Sequence, residues 1–189
     1  MTLSGPGRAL VLVAGIPGAG KSTLLRRLTP GPDLAVVDSE SQRDVLARRL
    51  PAGVPYARYR PLVHVLHRFA IVAAAVAGPA AVVVHLPATG AFLRALLALL
   101  ALVTGRVAYL VWLDVAPEVA LAGQEGRGRI VPSGCFAAHA RRARATSAAL
   151  AAGHVPWGYE RVLVLDRTAR TDLLGVLASC GAVDGTPGK

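Results

Sequence analysis

The sequence has few of the residues that staple small extracellular proteins, because only two of its 189 residues are cysteine. Cys135 and Cys180 form no C-x-x-C pair, and they are too few for a disulfide scaffold or a cysteine-rich zinc site. A chain of this length buries enough surface to fold as one domain without such staples. We therefore predict a single domain over residues 1–189, with loose termini at 1–7 and 184–189, in a reducing cytoplasm.

Negative charge is also scarce: 11 acidic residues stand against 21 Lys and Arg residues, which gives a formal net charge of +10. Nearly all of the positive charge is arginine, since Lys21 and Lys189 are the only lysines. A basic surface attracts small phosphates and nucleic acids alike, so the charge does not choose between these partners. The alternative is a basic surface that is only solvated and binds neither. The low charged fraction, 17% against 53% apolar residues, excludes intrinsic disorder for most of the chain.

Residues 69–93 contain no Lys, Arg, Asp or Glu over a length that is sufficient to cross a bilayer. Gly78, Pro79 and Pro87 interrupt this stretch, and His85 would need a hydrogen-bond partner in lipid. We therefore predict that the stretch is not a membrane span and that the protein has no membrane partner.

Short apolar runs rich in β-branched residues alternate with longer segments of helical character. The predicted strands are 9–14, 34–37, 81–85, 107–113 and 162–165. The predicted helices are 21–28, 42–50, 62–77, 90–103, 117–125, 133–152 (capped by Ser133) and 171–179. Because parallel neighbours need helical crossovers, this order predicts a three-layer α/β/α fold with a five-stranded parallel sheet. Ligands of such sheets bind beyond the carboxyl ends of the strands.

Residues 15–23 read Gly-Ile-Pro-Gly-Ala-Gly-Lys-Ser-Thr and match the pattern G-x-x-x-x-G-K-[ST] completely, between a predicted strand and a predicted helix. Glycines let backbone N–H groups wrap a phosphate chain, and the start of the helix adds partial positive charge. Lys21 is predicted to reach the outer phosphates, and the Ser22 hydroxyl to ligate Mg²⁺. The predicted nucleotide-binding residues are Gly15, Gly18, Ala19, Gly20, Lys21, Ser22 and Thr23. The sequence has no Asn-Lys-x-Asp guanine-reading pattern, which favours ATP over GTP.

This loop stands in a chain of fewer than 200 residues, with Asp38 closing the second predicted strand and an arginine-rich loop before a late helix. In these features the sequence resembles the small P-loop kinases. It is most similar to the AAA-family ATP-binding proteins grouped with polynucleotide kinase and zeta toxin. The resemblance is specific at the glycine-rich loop, and elsewhere it rests on the order of the predicted elements along the chain. It implies a P-loop NTPase with an adenylate-kinase-like core that uses ATP and Mg²⁺ to transfer a phosphoryl group to a hydroxyl.

In the resembled group a carboxylate after the second strand approaches the acceptor hydroxyl, and Asp38 is the residue that matches it. Asp38 is therefore predicted to be the catalytic base of phosphoryl transfer. Helix capping is the open alternative, since Asp38, Ser39 and Glu40 precede a predicted helix. Glu40 is a weaker candidate for the base, and Arg43, one turn further on, is a candidate for substrate binding.

Arg127 and Arg129 flank a glycine in a loop that looks like the kinase lid, where guanidinium groups neutralise charge on the transferring phosphoryl group. Both arginines are predicted to be catalytic. The segment that precedes and opens the third helix covers the acceptor in the resembled kinases. Its substrate candidates are Arg58, Tyr59 and His64. The alternative for this segment is an amphipathic helix with His64 and His67 on its polar edge.

The third predicted strand ends in His85, where many P-loop proteins have an acidic residue that holds Mg²⁺ through water. This departure argues against efficient ATP hydrolysis. Asp114, after the fourth strand, is a weaker candidate for the metal and is otherwise predicted to cap the helix at 117. The favoured function is a kinase for a small hydroxylated molecule, with a nucleic-acid end less favoured. The alternatives are an ATPase or nucleotide switch without phosphotransfer, and a basic nucleic-acid-binding protein.

Overall fold

The computed structural model describes residues 7–26, 28–126 and 131–166. Its strands are β1 (Ala9–Gly15), β2 (Leu34–Val37), β3 (Ala81–His85), β4 (Val107–Leu113) and β5 (Arg161–Leu165). Its helices are α1 (Lys21–Leu25), α2 (Ser39–Arg49), α3 (Tyr56–Ala77), α4 (Ala91–Val103), α5 (Pro117–Glu125) and α6 (Ser133–Ala151). The helix predicted at 171–179 lies outside the described residues.

The five strands lie parallel in one sheet, as the sequence predicts, and their order in the sheet is β2-β3-β1-β4-β5. The register of the central strand β1 places Val13 beside His85 of β3 and Gly15 beside Leu113 of β4. β1 and β4 are neighbours in the sheet, but the connections that follow them run to opposite sides. The connection after β1 leads to β2 at one edge, and the connection after β4 leads to β5 at the other edge. A crevice is expected where neighbouring strands diverge in this way, at the carboxyl ends of β1 and β4.

The core is built on strands that are apolar throughout. All residues of β1 are buried, and β3 is buried as far as Val84, because helices cover both faces of a parallel sheet. Trp112 of β4 is the largest fully buried side chain, and its indole N–H donates to the Ser147 hydroxyl of α6 at 3.0 Å. That hydroxyl donates to Asp114 at 2.7 Å. Asp114 therefore contacts α6 and does not cap α5, whose N-cap is Ala116.

Several helices have ends that differ from the predicted ones. The predicted helix α3 starts after Pro61, whereas the structure starts it at Tyr56 and places the proline inside. A proline there removes one main-chain hydrogen bond, a cost that the buried face of this long helix offsets. The N-cap of α6 is Pro132, and Ser133 makes no capping hydrogen bond, so that the predicted serine cap is wrong. Helix α1 ends at Leu25 instead of 28.

Two arginines close the C-terminal end of α3. Arg106 is only 4% exposed, and its guanidinium group donates hydrogen bonds to the carbonyl oxygens of Ala9, Ala74, Ala75, Gly78, Pro79 and Ala80. Arg8 donates to the carbonyl oxygens of Val76, Gly78 and Thr104. Part of the arginine excess is therefore used inside the fold and does not attract an anionic partner.

The charge-free stretch 69–93 is divided among α3, β3 and α4, so it does not form one continuous helix. Of the described helices, α3 is the one with the length and apolar composition to cross a bilayer, which by itself is weak evidence for a membrane protein. Its residues Val63, His67 and Ile71 are buried, and the helix packs on α2, β2 and β3.

Candidate functional site

The loop between β1 and α1 depends on its glycines and on the packing of α5. Gly15, Gly18 and Gly20 have φ angles of 143°, 95° and 98°, in the region that favours glycine. A Cβ atom on Gly18 would lie 2.0 Å from the carbonyl oxygen of Ala120 in α5. The close approach of α5 therefore excludes a side chain at Gly18.

Helix α5 also holds the loop through Gln124, a buried side chain that no sequence pattern singles out. Its Nε2 donates to the carbonyl oxygen of Pro17 at 3.0 Å, and its Oε1 accepts from the backbone N–H of Val131 at 2.9 Å. The predicted lid precedes Val131 in the chain. Gln124 therefore links the glycine-rich loop to the residue that follows the predicted lid.

Lys21 begins α1 and directs its amine back into the loop. Nζ donates to the carbonyl oxygens of Gly15 at 2.9 Å and Ile16 at 2.8 Å, and only 4% of Lys21 is exposed. Ser22 is buried as well, whereas Thr23 is exposed. A buried ammonium group and a buried hydroxyl in a glycine-rich loop fit the phosphates and the Mg²⁺ ion of a nucleotide.

A hydrogen-bonded pair joins the carboxyl ends of β2 and β3. Nδ1 of His85 lies 2.8 Å from Oδ1 of Asp38, and the two side chains are 14% and 15% exposed. The same oxygen accepts the backbone N–H of Glu40 at 3.3 Å, so Asp38 is also the N-cap of α2. This cap starts α2 at Ser39 instead of the predicted 42. Asp38 therefore has the geometry of the capping alternative and faces His85 at the same time.

The carboxyl group of Asp38 is held in its ionised form. Burial alone would raise its pKa, but the hydrogen bond from His85 and the positive charge that this ring can carry outweigh burial, so the pKa of Asp38 lies below its ordinary value. The hydrogen bond to Glu40 acts in the same direction. Asp38 is therefore a carboxylate at neutral pH.

His67 on α3 supports the main chain at His85. It is 1% exposed, and its Nε2 donates to the backbone carbonyl of His85 at 2.9 Å. Burial lowers the pKa of His67, which keeps the ring neutral. The predicted position of His67 on a polar edge is wrong, because α3 directs this residue into the protein. The described part of the chain contains no group of three His, Cys, Asp or Glu that is placed to hold a metal.

Helix α6 brings a second histidine close to the loop. Nδ1 of His139 lies 2.8 Å from Oγ1 of the buried Thr89, which follows β3. Burial lowers the pKa of His139, and the positive charges of Arg142 and Lys21 lower it further. Ile16 of the loop lines one cavity together with Ala140 and Ala143 of α6, so α6 lies near the loop. No local pattern indicates this contact, because it joins residues 50 positions apart.

A cleft of about 540 Å³ opens between α4 and α6, and its lining includes Thr89, Arg94 and Arg142. Arg94 is 7% exposed and donates to the carbonyl oxygens of Ala88 at 2.8 Å and Thr89 at 3.0 Å. Its guanidinium carbon lies 5.8 Å from the centroid of the Trp112 ring. The cleft combines apolar walls with a few fixed polar groups, which is typical of small-molecule sites.

The predicted substrate residues of α3 lie on its outer side. Arg58 and His64 are exposed, and Nε2 of His64 accepts a hydrogen bond from Arg60 at 3.3 Å. Tyr59 packs edge-on against Tyr56, with the ring centroids 5.3 Å apart. Tyr59 and His64 therefore contact close neighbours in the sequence.

Arg43 contacts its neighbour Asp44 and not the Asp38–His85 pair. The guanidinium group of Arg43 lies 3.1 Å from the carboxylate of Asp44 on the surface of α2. Arg127 and Arg129, the predicted lid residues, lie outside the described residues. Their catalytic role stays a prediction.

Comparison with known proteins identifies a family and a fold. A family model described as an AAA domain matches residues 10–153. The sequence matches no curated protein closely enough to be counted as a relative.

Solved structures of similar fold include a kinase candidate from Chloroflexus aurantiacus, with a TM-score of 0.61, 15% identity and coverage of 93% of this chain and 96% of that chain. A gluconokinase from Sinorhizobium meliloti has a TM-score of 0.52 and 18% identity, with coverage of 93% and 91%. A structure of the PezAT toxin–antitoxin system of Streptococcus pneumoniae has a TM-score of 0.61 and 16% identity, with coverage of 98% and 82%. At these identities the likeness establishes the fold, and it confirms the predicted α/β class.

Proposed function

The chain belongs to the AAA domain family, and on this premise we propose that it is a kinase that transfers the γ-phosphate of ATP to a hydroxyl group of a small molecule. The observation that carries the proposal is the placement of the hydrogen-bonded Asp38–His85 pair at the same edge of the sheet as the glycine-rich loop. Phosphoryl transfer needs a group that orients and deprotonates the acceptor beside the bound phosphates. The resemblance to small P-loop kinases supports the same reaction.

The roles of the individual residues follow from their positions. The loop residues Gly15, Gly18, Ala19, Gly20 and Thr23 would surround the phosphates, with Lys21 as the central charge. Ser22 would ligate Mg²⁺, which when bound draws charge from the phosphate oxygens. Arg127 and Arg129 would neutralise the charge that spreads over the transferring group.

A small acceptor fits the described residues better than a nucleic acid does. Arg8 and Arg106 donate to main-chain carbonyls, and Arg94 is buried, so the net charge overstates the positive surface. The cleft beside Thr89 has the size and lining of a small-molecule site. The other candidates for binding the acceptor lie on α2 and α3: Arg43, Arg58, Tyr59 and His64.

Hydrolysis without transfer is the competing function. A switch or ATPase of this class uses a water-orienting residue and commonly an acidic metal ligand at the end of the strand beside the loop. His85 occupies that position, and its Nδ1 is engaged by Asp38. This arrangement favours transfer to a bound hydroxyl over hydrolysis by water.

The test is a transfer screen with γ-labelled ATP and Mg²⁺ over small hydroxylated metabolites, aminoglycosides, nucleosides and 5′-hydroxyl oligonucleotides. Label on a small molecule, accompanied by an equal amount of ADP, is the expected result. Label on an oligonucleotide would move the acceptor class to nucleic-acid ends. Formation of ADP without a labelled product would favour the ATPase, and ATP left intact with every acceptor would contradict the kinase.

A further inference from the structure

The pairing of His85 with Asp38 reassigns the role of the base. Resting on the kinase function proposed above, we propose that His85 takes the proton of the acceptor hydroxyl and that Asp38 is a positioning residue that holds the His85 ring. The sequence pattern favours Asp38 for the base, and the geometry of the pair favours the histidine.

The hydrogen bonds decide which nitrogen of His85 is available. A carboxylate accepts hydrogen bonds, so Nδ1 of His85 carries the hydrogen that points to Oδ1 of Asp38 at 2.8 Å. The lone pair of the neutral ring is then on Nε2, which forms no hydrogen bond with any residue in the described ranges. An imidazole oriented by a carboxylate through one nitrogen, with the other nitrogen open, is the arrangement of a general base.

The hydrogen bonds also make Asp38 a poor base. Its Oδ1 accepts from His85 Nδ1, from the backbone N–H of Glu40 at 3.3 Å and from the Ser39 hydroxyl at 3.4 Å. These donors stabilise the carboxylate, and its pKa lies below the ordinary value, with burial the largest opposing effect. A base is most effective when its pKa is near the working pH, and these donors move Asp38 away from that range.

The histidine is fixed at both its side chain and its main chain. Asp38 holds the ring, and Nε2 of His67 donates to the backbone carbonyl of His85 at 2.9 Å. The strand pairing places His85 beside Val13, two residues before the loop begins at Gly15. A group held this rigidly, one strand away from the loop, is positioned as catalytic bases are.

The proposed step balances in atoms and charge. The acceptor oxygen forms a bond to the γ-phosphorus while the bond from that phosphorus to the bridging oxygen breaks, and the bond's electron pair leaves with ADP. The hydroxyl proton moves to Nε2 of His85, and the imidazolium ion is paired with Asp38. Loss of this proton to water after product release restores the neutral ring.

The closing experiment compares His85→Ala, Asp38→Asn and the double variant with the acceptor found in the transfer screen. We expect each single substitution to lower kcat by on the order of 10² to 10⁴ with little change in the KM for ATP, and the double variant to be no slower than His85→Ala. Added imidazole is expected to raise kcat of His85→Ala at least about tenfold, because it supplies the missing base. Arg48→Ala, the loss of an exposed side chain on α2 that lines no part of the cleft, is the control and should keep the parent rate with and without imidazole.

The outcomes separate this inference from the kinase function. A parent protein that transfers phosphate, with His85→Ala close to the parent rate or without response to imidazole while Asp38→Asn is inactive, would return the base to Asp38. A parent protein that transfers phosphate to no acceptor contradicts the kinase function itself. Nitrogen-15 NMR of the parent protein tests the geometry without activity or a folded variant: we expect His85 to carry its hydrogen on Nδ1, and a hydrogen on Nε2 with Nδ1 bare would overturn the inference.

Discussion

The Nζ atom of Lys21 donates a hydrogen bond to the carbonyl oxygen of Gly15 at 2.9 Å, so the loop lysine closes the loop on itself. A second bond to the carbonyl of Ile16 at 2.8 Å completes this arrangement. The same ammonium group that would hold the phosphates therefore also stabilises the loop. Removal of Lys21 should affect both nucleotide binding and stability.

We expect Lys21→Met to weaken ATP binding by more than about tenfold, because the phosphates lose a charged hydrogen-bond donor that contributes about 1.5 kcal/mol or more. The variant should also unfold more easily, since two buried carbonyl oxygens lose their shared donor. Calorimetry with ATP and thermal unfolding measure the two effects. Lys189→Met, which alters the other lysine of the sequence, serves as the control. ATP binding by Lys21→Met at the parent affinity would show that the loop is not the phosphate site.

The burial of His67 predicts a loss of stability in mild acid. The pKa of His67 in the folded protein lies below the ordinary value of 6.5, because burial opposes its charge. The unfolded chain therefore binds a proton at this residue more readily, and the free energy of unfolding falls as the pH decreases below about 6.5. His67→Gln removes this titration and retains a side-chain donor for the carbonyl of His85.

The measurement is denaturant unfolding of the parent and of His67→Gln between pH 7.5 and 5. We expect the parent to lose more stability than the variant over this range. His154→Gln removes an exposed histidine and should follow the parent. Parallel curves for the parent and His67→Gln would mean that His67 is not held neutral by the fold.

The strands could be predicted from the sequence because their signals are local. Three of them, 34–37, 81–85 and 107–113, have the predicted bounds, since each is a short apolar run between breakers and is covered on both faces. Helix starts were harder to predict. The start of α2 depends on whether the side chain of Asp38 turns back to cap it, and the start of α3 depends on whether the helix tolerates Pro61.

The candidate site also has one part that a local sequence pattern predicts and one part that depends on residues far apart in the sequence. The glycine-rich loop is contiguous in sequence, so its pattern is sufficient to locate it. The Asp38–His85 pair joins residues 47 positions apart, and it exists because β2 and β3 are neighbours in the sheet. Strand order is a property of the whole fold, and therefore no local pattern reveals that the histidine at the end of β3 meets the carboxylate at the end of β2.

Arg106 is expected to be one of the main determinants of stability. Its guanidinium group bonds six carbonyl oxygens at the junction of α3 with the sheet, and Arg106→Met removes all of these bonds. The carbonyls of Ala74 and Ala80 keep a backbone donor, so the loss falls mainly on the others. We expect a loss of about 2 kcal/mol or more in the free energy of unfolding, measured with denaturant, because each buried carbonyl left without a donor costs about 1 to 3 kcal/mol. Arg106→Lys keeps the charge with fewer donors and should also destabilise the protein. Arg141→Met, on the exposed side of α6, should have little effect, and an Arg106→Met variant as stable as this control would contradict the assignment.

Gln124 offers a way to separate nucleotide binding from transfer. Its Nε2 donates to the carbonyl of Pro17 in the loop, and its Oε1 accepts from the N–H of Val131 after the predicted lid. Gln124→Glu removes the donor and keeps an acceptor, whereas Gln124→Ala removes both. Because each lost bond leaves a partly buried group unpaired, a cost of about 1 to 3 kcal/mol is expected for each.

If the bond to Pro17 shapes the loop, both variants should raise the Kd for ATP, by about tenfold if the loss is near the lower end of this range. If the bond to Val131 positions the lid, only Gln124→Ala should also lower kcat with the acceptor found in the transfer screen, because Gln124→Glu still holds that N–H. Calorimetry with ATP and transfer rates at saturating ATP measure the two effects separately. If Gln124→Ala has the same kcat as Gln124→Glu, the bond to Val131 does not position the lid, and Gln124 acts on the loop alone. If both variants bind ATP with the parent affinity, the loop keeps its shape without the bond from Gln124 to Pro17.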